Sequence, residues 1–193
     1  MYNNKKTTVI VEGAIMIALA TILSYVRVFE LPLGGSVTLL SMLPIIVFSI
    51  KNGVREGLLA SFAFSLIQFG QGIGDGLFGW PLSPAAIAGC IFADYIIAYT
   101  VLGLGGIFKD KGATGWLMGT VLVIFLRFVC HVLSGVLIFH AAGELWSGFS
   151  TDNSWLYSII YNGSFMLPEM IFTSLGALAL FRVPQTRRLM TSA

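Results

Sequence analysis

Apolar residues along this chain fall into long runs, and the polar residues are concentrated in the short stretches between them. The runs lack the alternation of polar and apolar positions that marks membrane strands. A spanning helix needs about 20 apolar residues. Six runs are candidates: residues 8 to 29, 37 to 50, 54 to 72, 84 to 107, 115 to 140 and 155 to 182. The second is short and contains Pro44, which predicts a tilted, kinked or partly spanning helix. The pattern predicts an all-α membrane protein with six transmembrane helices in a single domain, residues 1 to 193.

Composition and charge placement support this prediction and give it an orientation. Hydrophobic residues make up 56% of the chain, charged residues 10%, and the mean hydropathy is +0.88, which excludes a soluble globular domain. Loops rich in Lys and Arg stay cytoplasmic. We therefore expect cytoplasmic N- and C-termini, because nine of the eleven cations fall at the two termini and in alternate loops: Lys5, Lys6, Lys51, Arg55, Lys109, Lys111, Arg182, Arg187 and Arg188. The net charge of +2 gives no reason to expect nucleic acid as a partner.

Ionisable residues inside the apolar runs are the candidate functional residues. Each one costs at least about 2.5 to 3.5 kcal/mol at a helix centre, so each needs a partner or a cavity. Asp94 and Tyr95 lie about ten residues, or roughly 15 Å, from the outer end of the fourth helix. His131 lies at a similar depth on the fifth helix, and Arg127 shares its face one turn away. Tyr157 and Asn162 add polar groups from the start of the sixth helix.

These side chains predict an outward-facing pocket for a polar or cationic aromatic molecule. The alternative is structural: Asp94 and Arg127 form an ion pair, and His131 is a satisfied core histidine. Glu12 is expected at the interface, and Glu169, beside Pro168, receives no role. Cys90 and Cys130 are interpreted as small buried hydrophobes.

Enzyme motifs do not occur in the sequence. It contains no G-x-S-x-G, H-E-x-x-H or CxxC sequence, so neither a hydrolase nor a metal site is predicted. A Walker A sequence is also missing, which means that any uphill transport needs a partner or an ion gradient. The chain is expected not to be an enzyme and to hold no cofactor.

Four segments, in order and with matching spacing, resemble one known family. They are "PLGGSVTLLSMLPIIVF" (32 to 48), "FADYIIAY" (92 to 99), "FLRFVCHVLSGVLIF" (125 to 139) and "WLYSIIYNGSFMLPE" (155 to 169). They resemble the thiamine-specific substrate-binding subunits, or S-components, of energy-coupling-factor transporters in Gram-positive bacteria. The resemblance implies a multi-pass protein of the plasma membrane that captures thiamine from outside. It also implies two kinds of partner, a transmembrane coupling subunit and two cytoplasmic ATPases.

The resemblance also implies roles for single residues. The implied thiamine-binding residues are Asp94, Tyr95, Arg127, His131, Tyr157 and Asn162, with Phe64 and Phe139 where some members have tryptophan. Ala14 and Ala18 match the small-residue motif that docks the coupling subunit. Some members have Glu in place of Asp94. The loop at residues 30 to 36 resembles the lid of the family's pocket but has no tryptophan, so Trp80, Trp146 and Trp155 are all candidates for aromatic closure.

Two further functions stay open from the sequence. One is an S-component for another vitamin. The other is a self-sufficient secondary transporter in which Asp94, His131 and Glu169 relay protons; inverted repeats would favour it, and the sequence shows none.

Overall fold

The protein is mostly helical, as a computed structural model that describes residues 2 to 31 and 34 to 191 shows. The α-helices of the described chain are α1 (Tyr2–Ser24), α2 (Leu43–Asn52), α3 (Val54–Gly74), α4 (Pro84–Cys90), α5 (Ala98–Thr100), α6 (Gly112–Leu137), α7 (Ser154–Arg182) and α8 (Pro184–Thr191). Two antiparallel hairpins join them, formed by strands β1 (Arg27–Glu30), β2 (Ser36–Thr38), β3 (Gly143–Trp146) and β4 (Phe149–Thr151). Helices α3 and α7 lie within two residues of the predicted segments.

The chain is helical from α4 to α6, but the type of helix changes along this stretch. A π-helical turn, Ile91–Ile97, follows α4, and a 3-10 helix, Val101–Lys111, follows α5. The whole stretch, Pro84–Leu137, has 54 residues and would be about 80 Å long if straight, far more than a bilayer core of about 30 Å. It reverses where Phe108 leaves helical geometry and Gly112 takes a positive φ of 63°. The segments on either side of this reversal then pack together, with Gly105 against Gly119.

Four continuous helical stretches of the described chain are long and apolar enough to cross a membrane: Lys5–Ser24, Val54–Gly74, Pro84–Leu137 and Ser154–Arg182. Helix α2 is apolar but has only ten residues. Many large apolar side chains are exposed on these helices, among them Ile15, Phe92 and Leu167. A surface of this kind suits lipid and not water, so the protein is a multi-pass membrane protein.

The structure differs from the sequence prediction at the first loop. Residues 27 to 29 and 37 to 38 were expected to belong to helices, yet they are part of the paired strands β1 and β2. The hydrogen-bond partners of a strand lie on another segment of the chain. The pattern of apolar residues along one segment therefore does not reveal them. Pro44 does not lie in the interior of a helix, where it would cause a kink. It lies in the first turn of α2, where its missing N–H costs no hydrogen bond.

Glycines bring the inner helices into close contact. A Cβ on Gly103 would lie 2.5 Å from the backbone nitrogen of Leu58 on α3. Ser49 on α2 also binds the 3-10 helix that contains Gly103. Its Oγ donates to the Gly103 carbonyl at 2.5 Å and accepts from the Gly106 N–H at 3.0 Å. Small residues and hydrogen bonds of this kind hold helices together in lipid, where the hydrophobic effect does not.

Candidate functional site

A cavity of about 160 Å³ lies where the first hairpin, the π-helical turn, α6 and α7 meet. Its wall includes seven of the eight side chains that the sequence analysis singled out for binding: Asp94, Tyr95, Arg127, His131, Phe139, Tyr157 and Asn162. Residues from three separate helical segments thus face one space.

Asp94 has hydrogen-bond partners on two helical segments of this cavity wall. Its Oδ1 lies 2.7 Å from His131 Nδ1, and its Oδ2 accepts from the Ser134 hydroxyl and from Cys90 Sγ at 3.3 Å. His131 and Ser134 are both on α6, while Cys90 precedes Asp94 by four residues. Asp94 belongs to the π-helical turn, a rare geometry that is frequent at functional sites. The carboxylate is therefore fixed by contacts from both sides.

Arg127 does not pair with Asp94, so the structural ion pair considered as an alternative is not formed. Its guanidinium donates to the Tyr99 hydroxyl at 2.8 Å and lies 4.2 Å from the centre of that ring. A second nitrogen lies 3.0 Å from Met42 Sδ, and Nε has no partner in the described chain. With only 8% of its surface exposed, Arg127 places a positive charge in the cavity wall.

Helix α7 supplies a row of aromatic rings at four-residue spacing. Tyr157 stacks on Tyr161 with ring centres 6.4 Å apart, and Phe165 meets Tyr161 edge-on at 5.9 Å. Phe165 also lies 6.0 Å from the His131 ring. Asn162, beside this row, donates to the Ser158 carbonyl at 2.9 Å and to the His131 carbonyl at 3.3 Å. The row therefore gives the cavity flat apolar faces next to oriented polar groups.

One aromatic residue predicted for the site lies away from the cavity, and one of the three candidate tryptophans lines it. Phe64 is fully buried in the core, edge-on to Tyr99 at 5.6 Å, and it does not line the cavity. Trp80 does line the cavity, with its ring 5.6 Å from that of Phe139, whereas Trp146 and Trp155 are exposed. Trp80 is thus the tryptophan of the three that is placed to cover a ligand.

Several residues of the cavity wall were not predicted from the sequence. Cys90 was interpreted as a buried hydrophobe, yet its thiol donates to Asp94. Its spacing of four residues from Asp94 was the available signal. Tyr99, Ser158 and Phe165 also line the cavity, and Tyr99 lies four residues after Tyr95, a predicted site residue.

The first hairpin closes one side of the cavity. Gly34 and Gly35 both line it, and the Gly35 N–H donates to the Tyr161 hydroxyl at 3.2 Å. A Cβ on Gly35 would come within 2.8 Å of the Phe165 ring, so only glycine allows this approach. Arg27 on β1 ties the hairpin to the end of α3 through Asp75 at 2.5 Å. Partial burial alone would lower the pKa of Arg27, but pairing with Asp75 and Glu30 outweighs it and raises that pKa above its ordinary value.

Ala14 and Ala18 lie apart from the cavity, exposed on α1. They belong to a stripe of exposed apolar residues that includes Ile10, Ile15 and Ile22. Glu12 on the same helix forms an ion pair with Lys51 of α2 at 2.6 Å.

This arrangement suits binding. A fixed carboxylate beside aromatic faces attracts an organic cation and orients donors on a flat ring. In the described residues, no group of three or more His, Cys, Asp or Glu side chains is placed to hold a metal ion.

Comparisons with known proteins agree on one family. The sequence model of the family described as "Thiamine transporter protein (Thia_YuaJ)" matches residues 10 to 188. The thiamine transporter ThiT of Bacillus subtilis is 30% identical over 94% of this chain and 94% of its own length. ThiT of Lacticaseibacillus paracasei is 26% identical over 90% and 86%. A solved structure of ThiT from Listeria monocytogenes has a TM-score of 0.73 at 21% identity and covers 95% of this chain, which shows the same fold.

Proposed function

Because the chain belongs to the family of thiamine transporter proteins, we propose that it is the thiamine-binding S-component of an energy-coupling-factor importer. Its role is transport and not catalysis. In this proposal it captures thiamine with high affinity from the extracellular side of the plasma membrane of a Gram-positive bacterium. A transmembrane coupling subunit and two cytoplasmic ATPases then drive uptake.

The observation that carries the proposal is the hydrogen-bonded Asp94 in an aromatic-lined cavity. Thiamine joins an aminopyrimidine to a permanently cationic thiazolium. The Asp94 carboxylate can accept from the exocyclic amine or stabilise the cation, in a site where Coulomb attraction is less screened than in water. Tyr157, Asn162 and His131 offer partners for the ring nitrogens, and Trp80 with Phe139 offers faces for stacking.

The proposed topology has six membrane segments in a single domain, with both termini cytoplasmic. The reversal at Phe108 and Gly112 supports a division of Pro84–Leu137 into two segments, and α2 serves as a short one. The basic loops lie near each other: the Lys109 ammonium is 3.6 Å from where a Cβ on Gly53 would be. This placement supports one cytoplasmic face that holds nine of the eleven cations.

The coupling subunit is proposed to dock at Ala14 and Ala18. Both are exposed on α1, and their small side chains permit a partner helix to approach closely.

The test is calorimetric titration of detergent-purified protein with thiamine, alongside riboflavin and biotin. We expect saturable binding of thiamine at one site and no heat of binding from the other two vitamins. Mass spectrometry of small molecules that co-purify with the protein provides an independent identification. Binding of another vitamin in place of thiamine would reassign the cargo, and binding of none would overturn the proposal.

A further inference from the structure

Glu169 is a buried carboxylate that the thiamine site does not use. It lies on α7 with 1% of its surface exposed. One oxygen, Oε1, accepts from the Thr38 N–H at 2.7 Å and from the Thr38 hydroxyl at 2.6 Å. A carboxylate is costly to bury at this depth, and these two hydrogen bonds both come from a single residue of another element. That residue, Thr38, is the last of strand β2.

Thr38 connects Glu169 to the edge of the thiamine cavity. Strand β2 pairs with β1 in the register Arg27 with Thr38 and Glu30 with Ser36. Ser36, two residues before Thr38, lines the cavity together with Gly34 and Gly35. A shift of Thr38 is therefore passed along a short hydrogen-bonded strand to the cavity wall.

The contacts of the hairpin on α7 follow one helical stripe. Tyr161, Phe165 and Glu169 are spaced by four residues, so they lie on the same face. Tyr161 accepts from the Gly35 N–H, Phe165 packs on Gly35, and Glu169 holds Thr38. The hairpin is thus attached to α7 at two points, one at the cavity and one at its base.

A second, smaller cavity lies beside the first and explains why these few contacts matter. It measures about 70 Å³, and its wall includes Gly34, Ser36, Thr38, Arg127 and Glu169. The second oxygen of Glu169 has no partner in the described chain. Space lined by polar groups provides little of the apolar packing that fixes most loops. Val37 packs strand β2 into the hydrophobic core, and the polar contacts of Gly35 and Thr38 add to this packing on the side that lines the cavities.

We propose that Glu169 is a positioning residue for ligand retention: through Thr38 it holds hairpin β1–β2 against the thiamine cavity and slows release of the ligand. The inference rests on the proposed function, because it takes thiamine as the ligand retained. It assigns Glu169 no contact with thiamine.

Two substitutions test the contact from its two sides. Thr38→Val keeps the branched shape and the backbone donor but removes the hydroxyl, and Glu169→Gln keeps the shape but removes the charge. The matched control is Thr173→Val, one turn farther along the same face of α7. Thr173 is fully buried, and its hydroxyl has no partner in the described chain. The control therefore removes a buried hydroxyl that forms no hydrogen bond with the described part of the hairpin.

Two measurements on the full chain separate positioning from general stability. Hydrogen exchange of the ligand-free protein reports how often the amides of residues 34 to 38 open, and stopped-flow fluorescence gives the rates of thiamine association and dissociation. Charge-assisted hydrogen bonds are about twice as strong as neutral ones, so we expect exchange at 34 to 38 and dissociation each to rise by about tenfold in both variants. Association should stay within about twofold, since the open state still admits the ligand. The control should match wild type, and the double variant should be no worse than the more affected single variant.

The outcomes that overturn the inference are distinct from failure of the proposed function. If wild type binds thiamine and both variants match it in exchange and dissociation, Glu169 is not a positioning residue, while the proposed function stands. Exchange that rises equally throughout α3 and α7 indicates general destabilisation and also overturns the inference. If wild type does not bind thiamine, the proposed function fails, and retention of thiamine by Glu169 fails with it. If Glu169→Gln does not fold, Thr38→Val decides the question.

Discussion

At the scale of single residues, the contacts of Asp94 support its proposed role in thiamine binding. Its carboxylate is held by His131 and Ser134 of α6 and by Cys90 on its own helical segment. These partners fix its position before any ligand arrives, which reduces the entropy that binding must overcome. Arg127 is held separately by Tyr99 and Met42, so the two opposite charges in the wall do not form an ion pair with each other.

Replacement of Asp94 by Asn should weaken thiamine binding by roughly ten- to more than a hundredfold. The change is nearly isosteric, but it removes a charge-assisted hydrogen bond, which contributes about 1.5 to 3 kcal/mol. Calorimetric titration of both proteins measures the loss, and Asp152→Asn in an exposed loop is the control for a lost carboxylate. A destabilised Asp94→Asn protein that binds within twofold of wild type would make Asp94 a structural residue.

At the scale of helices, close contacts between glycines and backbone decide the packing. Gly103 faces the backbone of α3 at Leu58, and Gly57 on α3 faces Gly103 in return. Side chains could yield to an added methyl group, but two helix backbones cannot move apart without losing the contacts around them. The space at each glycine therefore decides whether an added methyl group disrupts the packing or leaves the gain in helix propensity to act alone.

Alanine substitutions at two glycines should change stability in opposite directions. Gly103→Ala places a methyl group against the Leu58 nitrogen and should destabilise by about 1 to 3 kcal/mol. Gly70→Ala on α3 meets no atom within 4 Å and should stabilise by roughly 0.5 to 1 kcal/mol through helix propensity. Thermal unfolding in detergent measures both, and a Gly103→Ala protein as stable as Gly70→Ala would contradict this account of the packing.

Larger side chains on the exposed face of α1 should weaken assembly with the coupling subunit and leave thiamine binding unchanged. The double substitution Ala14→Leu and Ala18→Leu blocks close approach of a partner helix on an exposed face that does not line the cavity. Co-purification with the coupling subunit and uptake in cells should both fall, while calorimetric thiamine binding stays at the wild-type level. Ala85→Leu with Ala88→Leu, an exposed pair on α4, is the control. Intact assembly in the α1 variant would move the docking surface elsewhere.

At the scale of the whole molecule, the protein combines a ligand cavity with no sequence motif for nucleotide hydrolysis. Its ionisable residues inside helices have local partners: Asp94 bonds to His131, Arg127 to Tyr99 and Glu169 to Thr38. Each of these groups is fixed by its own hydrogen bonds, which suits the binding of a ligand.

The pure chain in liposomes should bind thiamine and not accumulate it. With thiamine outside and a proton or sodium gradient imposed, we expect internal radiolabelled thiamine to stay at or below the external concentration. Addition of the coupling subunit and the two ATPases with ATP inside should then produce accumulation. Gradient-driven concentration by the chain alone would instead establish a secondary transporter.

Local sequence is enough to locate most helices and the charged residues of the candidate site. Burial of apolar side chains in lipid depends on composition within a short window, which is why α3 and α7 lie within two residues of their predicted segments. A charge inside an apolar run is equally visible, so Asp94, Arg127 and His131 could be named as candidates from the sequence.

Contacts between distant segments determine what local sequence could not show. Strands β1 and β2 exist through hydrogen bonds to each other, and the helix predicted over residues 37 to 50 therefore begins only at Leu43. An aromatic side chain such as Phe64 suits the core as well as a cavity wall. Packing places Phe64 in the core next to Tyr99, whereas Trp80 lines the cavity. Glu169 and Thr38 are 131 residues apart. The partner of a buried polar group is selected by how the helices pack, and no local pattern of polar and apolar residues carries that information.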